Sequence, residues 1–116
     1  MRRPDAPASL SSMSQVRLEQ WSAADGALSE KKMMRLLESE GFEVSVYAYP
    51  QGTRFPEHEH AQDKCDAVLE GTLRVTVGGA AFDLQPGDRI YVPARTRHSA
   101  EVVGRKTVLS LDGTRW

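Results

Sequence analysis

The order of apolar and polar residues divides the chain into a short helical part and a long β-rich part. Apolar residues recur at helical spacing between residues 29 and 40, which predicts an amphipathic helix. They are Met33, Leu36 and Leu37. Ser29 suits the N-cap of this helix, and Gly41 suits the left-handed residue that ends it. The same kind of spacing predicts a second, shorter helix over Val16–Trp21.

A two-residue period begins at Phe42 and predicts strands for the rest of the chain. Apolar and polar residues alternate over Phe42–Tyr49. Turn-forming residues then recur at short intervals, at Pro50-Gln51-Gly52, Glu70-Gly71, Gly78-Gly79, Pro86-Gly87-Asp88, Pro93 and Gly104. The stretches between them that suit strands are Ala67–Glu70, Leu73–Val77, Ala81–Leu84, Arg89–Val92, Ser99–Val103 and Thr107–Leu111. This pattern predicts an all-β fold, an antiparallel β-barrel or jelly roll with a short N-terminal helical segment.

The chain is long enough for one hydrophobic core, so a second independent domain is not expected. We expect three parts, which are a disordered lead-in over residues 1–14, a helical segment over residues 15–41 that packs on the barrel, and the barrel over residues 42–116. The two arginines near the N-terminus are followed by no apolar stretch of the kind that export signals contain. Met13 opens the better-patterned part and is an alternative natural start.

Charge and composition exclude several classes of partner. The formal net charge is −1 and no block of like charges forms a stripe for phosphates, so nucleic acid is not an expected partner. No apolar stretch reaches the ~20 residues that a bilayer span requires, so we expect no membrane partner. The single cysteine, Cys65, cannot form an internal disulfide, which fits a reducing compartment. We therefore expect a cytoplasmic protein.

The most informative chemistry lies in three histidines, which are all the histidines of the chain. In an extended strand, the side chains of His58 and His60 share one face and lie about 6–7 Å apart along the backbone. Imidazole is a common metal ligand, and two such rings can share one ion. A surface strand also carries such a pair by chance, so the pair alone does not distinguish metal ligands from solvent-exposed residues.

A wider pattern of glycine, proline and histidine adds His98 to this pair. The pattern reads Gly52-(five residues)-His58-x-His60 with Gly71 after it, and then Gly87-(five residues)-Pro93-(four residues)-His98. It resembles, at the same spacing, the two motifs of the cupin superfamily. The resemblance covers about residues 52–102 and implies a small antiparallel barrel of jelly-roll type. It also implies that the three histidines bind one divalent metal ion, which we expect to be iron, zinc, manganese or nickel.

One position departs from the cupin motif in a way that alters the chemistry. Lys64 stands where the family has a glutamate. A lysine ammonium about 5 Å from a divalent ion is repelled by roughly 6–7 kcal/mol at an effective dielectric constant near 20. The ammonium must therefore lose its proton, swing away or be screened, and we expect an ion pair with Asp66, which shares its strand face. The alternative is that the strand begins after Lys64 and leaves this side chain in solvent.

Strand parity also predicts a pocket around the histidines. The predicted pocket residues are Gln62, Lys64, Asp66, Ile90, Val92 and Ala100. Of these, Gln62 and Asp66 are candidates for a fourth metal ligand. Tyr47 or Tyr49 is expected to add a polar-tipped wall, whereas Cys65 has the opposite parity and is expected to face outward. A mostly apolar lining of this kind suits a small organic ligand.

Three imidazoles leave coordination positions open, which is typical of sites that bind or convert a ligand. Among cupins, three-histidine sites occur in iron-dependent dioxygenases, so the resemblance implies a metal-dependent dioxygenase or isomerase of a small molecule. The alternative is a non-catalytic binding or sensor cupin, which the missing carboxylate favours. A third hypothesis is an interaction module in which the histidines are incidental. The resemblance also implies a homodimer formed edge to edge, with Phe42–Tyr49 near an open sheet edge.

Overall fold

The computed structural model describes residues 15–116, which form nine β-strands and one α-helix. The strands are β1 (Arg17–Gln20), β2 (Glu43–Tyr49), β3 (Arg54–His58), β4 (Asp63–Glu70), β5 (Thr72–Val77), β6 (Ala80–Leu84), β7 (Asp88–Val92), β8 (His98–Val103) and β9 (Val108–Arg115). The helix, α1, covers Glu30–Ser39 and follows a 3-10 turn over Ala23–Asp25. The predicted lead-in over residues 1–14 lies outside the described residues.

The strands form two antiparallel sheets that pack against each other. One sheet has five strands in the order β1-β7-β4-β9-β2, and the other has four in the order β3-β8-β5-β6. Apolar side chains from both sheets fill the space between them, among them Val68, Leu73, Leu84 and Ile90. The fold is therefore an antiparallel β-barrel of jelly-roll type, and the predicted fold class is confirmed.

Helix α1 covers the outer face of the five-stranded sheet. Its N-cap is the predicted one, because Ser29 Oγ accepts a hydrogen bond from the backbone N–H of Lys32 at 3.1 Å. Gly41 follows the helix with a φ of +92°, a left-handed conformation that favours glycine. The side chains of Met33 and Leu37 are fully buried and form a second apolar cluster with residues of the sheet. Among the described residues, no helix has the length and apolar character that crossing a membrane requires.

The helix predicted over Val16–Trp21 is wrong, because this segment forms strand β1. Strand β1 pairs with β7 in antiparallel register, with Leu18 opposite Ile90. The backbone N–H of Trp21 then donates to the carbonyl of Gly87 at 2.8 Å. So short a segment gains little as a helix, whereas the free edge of β7 offers it a backbone ladder. Tertiary pairing therefore overrides the local spacing of apolar residues.

Strand β4 begins at Asp63, earlier in the chain than the predicted start at Ala67. Lys64 therefore lies within a strand, and the alternative in which the strand begins after it is wrong. Lys64 and Asp66, near the start of β4, face a cavity between the sheets rather than the apolar core. Because cavity-facing positions are polar, the first part of β4 does not show the alternation of apolar and polar residues that predicts a strand. The predicted strand therefore starts too late.

Candidate metal centre

Two neighbouring strands of the four-stranded sheet place His58 beside His98. His58 is the last residue of β3, His98 is the first residue of β8, and the antiparallel register sets them opposite each other. A register irregularity between Phe55 and His58 shifts the pairing just before this point. The histidines of the two sequence motifs therefore meet because β3 and β8 are hydrogen-bonded neighbours.

His60 reaches the same site from the connection between β3 and β4. The spacing predicts that His58 and His60 share one face of a strand. In the structure β3 ends at His58, so only His58 belongs to the strand. The carbonyl of His60 accepts a hydrogen bond from the backbone N–H of Arg95 at 2.7 Å. Arg95 has a φ of +61° and stands where the cupin pattern has a glycine, so this turn keeps the left-handed conformation without the glycine. The hydrogen bond ties the two motifs together.

The three imidazoles form a cluster of the size that one metal ion requires. One ring nitrogen from each histidine lies within 4.8 Å of the other two. The ring centroids are 4.4 Å apart for His58 and His98, 4.8 Å apart for His58 and His60, and 5.3 Å apart for His60 and His98. Metal–nitrogen bonds of about 2.0–2.1 Å bring ligand nitrogens to about 3–3.5 Å from one another, which small ring rotations achieve. Asp66, a candidate fourth ligand, is not part of this cluster.

Backbone carbonyls fix the orientation of two of the rings. Nδ1 of His58 lies 2.6 Å from the carbonyl oxygen of Pro56, and Nδ1 of His98 lies 2.8 Å from that of Thr96. A carbonyl oxygen can only accept, so Nδ1 carries the proton in both rings. Their Nε2 atoms then carry free lone pairs, which is the arrangement found where histidine binds a metal.

The surroundings of His60 and His98 favour the neutral, ligand form of imidazole. Burial lowers the pKa of His60, and the neighbouring His58, Lys64 and His98 lower it further, against the opposing effect of Asp112. Burial also lowers the pKa of His98, although its hydrogen bond to Thr96 acts in the other direction. A metal site needs its imidazoles deprotonated, so the donor set fits a divalent ion.

A cavity of about 130 Å³ opens beside the three histidines, between the two sheets. Its lining consists of Tyr49, Phe55, His58, His60, Lys64, Asp66, Leu73, His98, Ala100 and Asp112. The ring of Tyr49 packs edge-on against that of Phe55, with centroids 4.9 Å apart. The cavity thus has an aromatic and aliphatic side, a side with three imidazoles, and a polar side formed by β4 and β9.

The predicted pocket residues occupy different depths in the barrel. Lys64, Asp66 and Ala100 line the cavity. The alternation of side chains along a strand predicts that Ile90 and Val92 point to the barrel interior, and they do. They are buried in the apolar core, however, and do not line the cavity. The alternation of side chains shows which face of the sheet a residue lies on, but not how far along the barrel it lies. Gln62 lies in the connection before β4 and does not line the cavity either.

Lys64 has a different carboxylate partner from the predicted one. Its Nζ lies 2.8 Å from Asp112 Oδ1 and 2.6 Å from Thr114 Oγ1, and 11% of its side chain is exposed. Both partners belong to β9, where Thr114 is the direct cross-strand partner of Lys64 and Asp112 is that of Asp66. The ion pair with Asp66 is therefore replaced by one with Asp112. Asp112 is the diagonal neighbour of Lys64 across the β4–β9 pair, a position that a long lysine side chain can reach and that the sequence of one strand does not reveal.

Three cavity residues were not identified from the sequence, which are Phe55, Leu73 and Asp112. Asp112 alternates with Ser110 and Thr114 on the inner face of β9, a polar pattern near the C-terminus that could have indicated a cavity-facing strand. Cys65, on the opposite face of β4 from Lys64, is buried beneath helix α1 rather than exposed. Burial raises the pKa of its thiol, which therefore stays protonated and plays no part in the site.

Comparison with known proteins relates this geometry to one family. A family model described as "Cupin domain" matches residues 45–112. None of the curated proteins matches the chain. Solved structures do, and one of them is acireductone dioxygenase from Bacillus anthracis with a cadmium ion in its active center. It shares 18% sequence identity over 87% of this chain and 78% of its own, with a TM-score of 0.66.

Two further structures share the same fold. A cupin superfamily protein from Desulfitobacterium hafniense is 22% identical over 97% of this chain and 93% of its own, with a TM-score of 0.59. KdgF from Halomonas sp. is 21% identical over 66% of this chain and 70% of its own, with a TM-score of 0.58. At these identities the likeness shows the fold and carries no activity with it.

Proposed function

This chain belongs to the cupin domain family, and from that premise we propose that it is a small metal-binding cupin whose three histidines hold one divalent ion beside a small organic ligand. The observation that carries the proposal is the convergence of three ring nitrogens within 4.8 Å of one another. The carbonyls that orient His58 and His98 support it, because they leave the Nε2 atoms free to bind the ion.

The chain contributes the shape and charge of the site. Three neutral imidazoles leave the charge of a divalent ion uncompensated, which favours a ligand that presents an anionic oxygen. The apolar side of the cavity, with Phe55, Leu73 and Ala100, suits the carbon part of such a ligand. When bound, a divalent ion supplies Lewis acidity and open coordination positions.

We favour a metal-dependent enzyme, either a dioxygenase or an isomerase of a small molecule. The open three-histidine donor set supports this choice, as does the shared fold with a dioxygenase whose active center holds a metal ion. The second candidate is a binding or sensor domain that holds the same ligand without converting it. Lys64 supports the second candidate, because it replaces the acidic residue of the cupin motif. Its ammonium group is already bound by Asp112 and Thr114.

Metal-dependent thermal stability tests the proposed site. Protein stripped with a chelator should gain several degrees in Tm when Zn²⁺ or Ni²⁺ is added in excess, because a ligand that binds only the folded state stabilises it. The His60→Ala variant should show no gain, whereas Glu59→Ala, at an exposed neighbouring position, should respond like the wild type. An unchanged wild-type Tm, or an equal gain in His60→Ala, contradicts the proposal.

Turnover separates the two candidate functions. Metal-loaded protein is incubated with a panel of small hydroxy and enolic acids, while oxygen uptake and product formation are followed by an oxygen electrode and by NMR. Turnover that disappears in His60→Ala identifies an enzyme. Thermal stabilisation by a panel member without turnover identifies a binding domain.

We also propose that the chain forms a homodimer through strand β2. This strand is an edge of the five-stranded sheet, and its side chains Val46 and Tyr47 are 40% and 45% exposed. An edge strand with unpaired backbone groups and exposed apolar side chains supports pairing with a second copy. The cytoplasmic location stays a prediction, with which the buried free thiol of Cys65 is compatible.

A further inference from the structure

A second cavity, of about 290 Å³, lies on the face of the five-stranded sheet that carries helix α1. Its floor contains the rings of Phe42 and Tyr91, which belong to the apolar cluster beneath the helix. The side chains of Arg17 and Arg115 also line it. None of the three histidines does, so this cavity is separate from the candidate metal centre. It is called the outer cleft below.

The two arginines of the outer cleft lie over its two aromatic rings. The guanidinium carbon of Arg17 is 4.2 Å from the centroid of the Tyr91 ring, and that of Arg115 is 4.4 Å from the centroid of the Phe42 ring. A cation over a ring face is held there by the charge distribution of the ring. This contact uses none of the N–H donors of a guanidinium, so they stay available to an oxyanion.

The floor beneath the two guanidinium groups is fixed in place. The Tyr91 hydroxyl donates a hydrogen bond to Glu40 Oε1 at 2.6 Å and accepts one from Arg89 Nε at 2.8 Å. Burial raises the pKa of this hydroxyl, and the hydrogen bond to Glu40 raises it further, against the opposing effect of Arg89. The phenol is therefore neutral near pH 7. The rings of Phe42 and Tyr91 pack against each other with centroids 6.1 Å apart, which sets the spacing of the two supports.

Arg17 keeps most of its hydrogen-bonding capacity. Among residues 15–116, its one ion pair joins Nε to Glu19 Oε1 at 3.6 Å, and both side chains are about half exposed. A pair of this kind contributes little to stability. The two terminal nitrogens of Arg17 have no partner within the described part of the chain. They are the donors that form a forked contact with a carboxylate.

Arg115 is positioned more firmly but is only loosely neutralised. One terminal nitrogen donates to the backbone carbonyl of Glu40 at 2.8 Å, which anchors the side chain beside the end of helix α1. The other terminal nitrogen is 3.5 Å from Asp63 Oδ2, too far for a strong hydrogen bond. The second oxygen of Asp63 accepts from the backbone N–H of Ala94 at 2.9 Å. The carboxylate of Asp63 is therefore shared between two donors.

The lining of the outer cleft has an excess of positive charge. Arg17 and Arg115 face one carboxylate, that of Asp63. Lys64 also lines the cleft, but its ammonium is bound by Asp112. The chain as a whole has a formal net charge of −1, so this local excess of cations is not a general property of the surface.

We propose that the outer cleft binds a small organic dicarboxylate, with one carboxylate on Arg17 and the other on Arg115. Each guanidinium has its own aromatic support, so two anionic groups joined by a short carbon chain fit the pair better than one anion does. Val92 and Pro93 line the same cleft and offer apolar contacts to the carbon chain. This inference is independent of the proposed function, because no metal ligand takes part in the site.

A titration with succinate tests the inference. The protein is treated with a chelator and then dialysed, so that neither a bound metal ion nor the chelator competes for the carboxylates. Binding at pH 7 and constant ionic strength is followed by NMR of the arginine Nε–H groups. Succinate should shift the signals of Arg17 and Arg115 in a saturable way. Butyrate has the same number of carbon atoms but one carboxylate, and it should bind about tenfold more weakly because one charged contact is lost.

Two variants change the affinity for succinate in opposite directions. Arg17→Gln removes one guanidinium at an exposed position, and it should bind succinate about tenfold more weakly and distinguish it little from butyrate. Asp63→Asn keeps an oxygen for Ala94 but removes the negative charge near Arg115, and it should bind succinate about threefold more tightly. Arg54→Gln is the matched control, since Arg54 is an exposed arginine paired with Glu101 on the other sheet, and it should bind like the wild type.

The comparison of the two acids in the wild type is decisive without any variant. Shifts that do not saturate, or equal affinities for succinate and butyrate, overturn the inference. Equal affinity of Arg17→Gln and the wild type for succinate overturns it as well. Because the titration uses metal-free protein, a failure here leaves the three-histidine centre untouched, and a failure of zinc binding leaves this inference standing.

Discussion

At the scale of single residues, Lys64, which stands where the cupin motif has a glutamate, makes two close side-chain contacts across the sheet. Lys64 is nearly buried, yet both of its hydrogen-bonding partners belong to another strand. A buried ammonium of this kind is tolerated because Asp112 supplies the opposite charge within 2.8 Å. The wall that carries a metal ligand in the cupin motif therefore carries an internally neutralised cluster in this chain.

The first prediction concerns the coupling between Lys64 and Asp112. Lys64→Met keeps most of the side-chain length but leaves Asp112 without its cation, and it should lower the free energy of unfolding by about 3 kcal/mol. In an Asp112→Asn background the same change should cost much less, because the partner charge is already gone. Urea denaturation of the wild type, both single variants and the double variant measures this coupling. Strictly additive effects would argue against the ion pair.

The second prediction concerns the dependence of stability on pH. The pKa of Asp66 is raised from 3.8 to about 7 on folding, mainly by burial, so the folded state favours the neutral carboxyl. The resulting stabilisation is complete below the unfolded pKa and is lost as the pH rises through about 7. In chelator-treated protein, the Tm of the wild type relative to Asp66→Asn should therefore fall between pH 4 and pH 8. The histidines are common to both proteins and cancel. A difference that stays flat or rises with pH contradicts the assigned environment of Asp66.

The candidate site was predictable from sequence only where its residues lie in local motifs. The spacing of His58, His60 and His98 identifies them, and the structure brings all three together. Asp112 was missed because its contact with Asp66 depends on the register of two strands that are distant in the chain. The predicted ion pair between Lys64 and Asp66 was wrong for the same reason. The order of residues in one strand does not show which residues of the neighbouring strand lie beside it.

At the scale of elements, glycine positions decide where two of the tight turns can form. Gly71 and Gly79 both have left-handed φ values, +77° and +85°. A Cβ on Gly71 would lie 2.8 Å from the carbonyl oxygen of Thr107, whereas a Cβ on Gly79 would meet nothing within 4 Å. Both turns therefore require a left-handed backbone conformation. Only the turn at Gly71 also lacks space for a side chain.

The third prediction uses this matched pair. Gly71→Ala and Gly79→Ala should each lose about 1–2 kcal/mol, because a side chain disfavours the left-handed conformation. Gly71→Ala should lose at least about 1 kcal/mol more, since its clash is with backbone atoms that cannot move freely. Thermal and urea unfolding of the two variants gives the comparison. Equal losses would show that the approach of Thr107 does not constrain the turn.

Elements with a long, regular pattern were predicted well, and the shortest one was not. The helix that begins after Ser29 and the strand that ends at Tyr49 have enough residues for their periods to be unambiguous. Strand β1 is too short for that, since Val16 and Leu18 fit a two-residue period as well as a helical one. Its structure is decided by the free edge of β7, which no local pattern records.

At the scale of the whole molecule, the edges of the two sheets determine how copies of the chain can assemble. Strand β2 lies at the edge of the five-stranded sheet, at the opposite end from β1. The rings of Tyr47 and Tyr49 stack with centroids 6.0 Å apart, so the edge next to the cavity has a continuous aromatic surface. Pairing at this edge would place a second copy close to the mouth of the site.

The fourth prediction is a dimeric mass at micromolar concentration. Light scattering coupled to size-exclusion chromatography should give about twice the chain mass of 12.9 kDa. Val46→Lys should shift the mass toward that of the monomer, because a charge on an edge strand opposes pairing. Arg105→Lys, at an exposed position far from β2 in the chain, is the control and should leave the mass unchanged. A monomeric wild type contradicts the proposed assembly.

The most direct test of the whole account is the metal content of the protein, measured by elemental analysis after loading with Zn²⁺ and removal of free ions. The wild type should hold about one ion per chain, because three neutral imidazoles converge on one point. His98→Ala should hold almost none, while Gln62→Ala, which does not line the cavity, should hold as much as the wild type. Circular dichroism checks that each variant retains its β structure. A wild type without bound zinc, or a His98→Ala variant that retains it, would contradict the three-histidine centre.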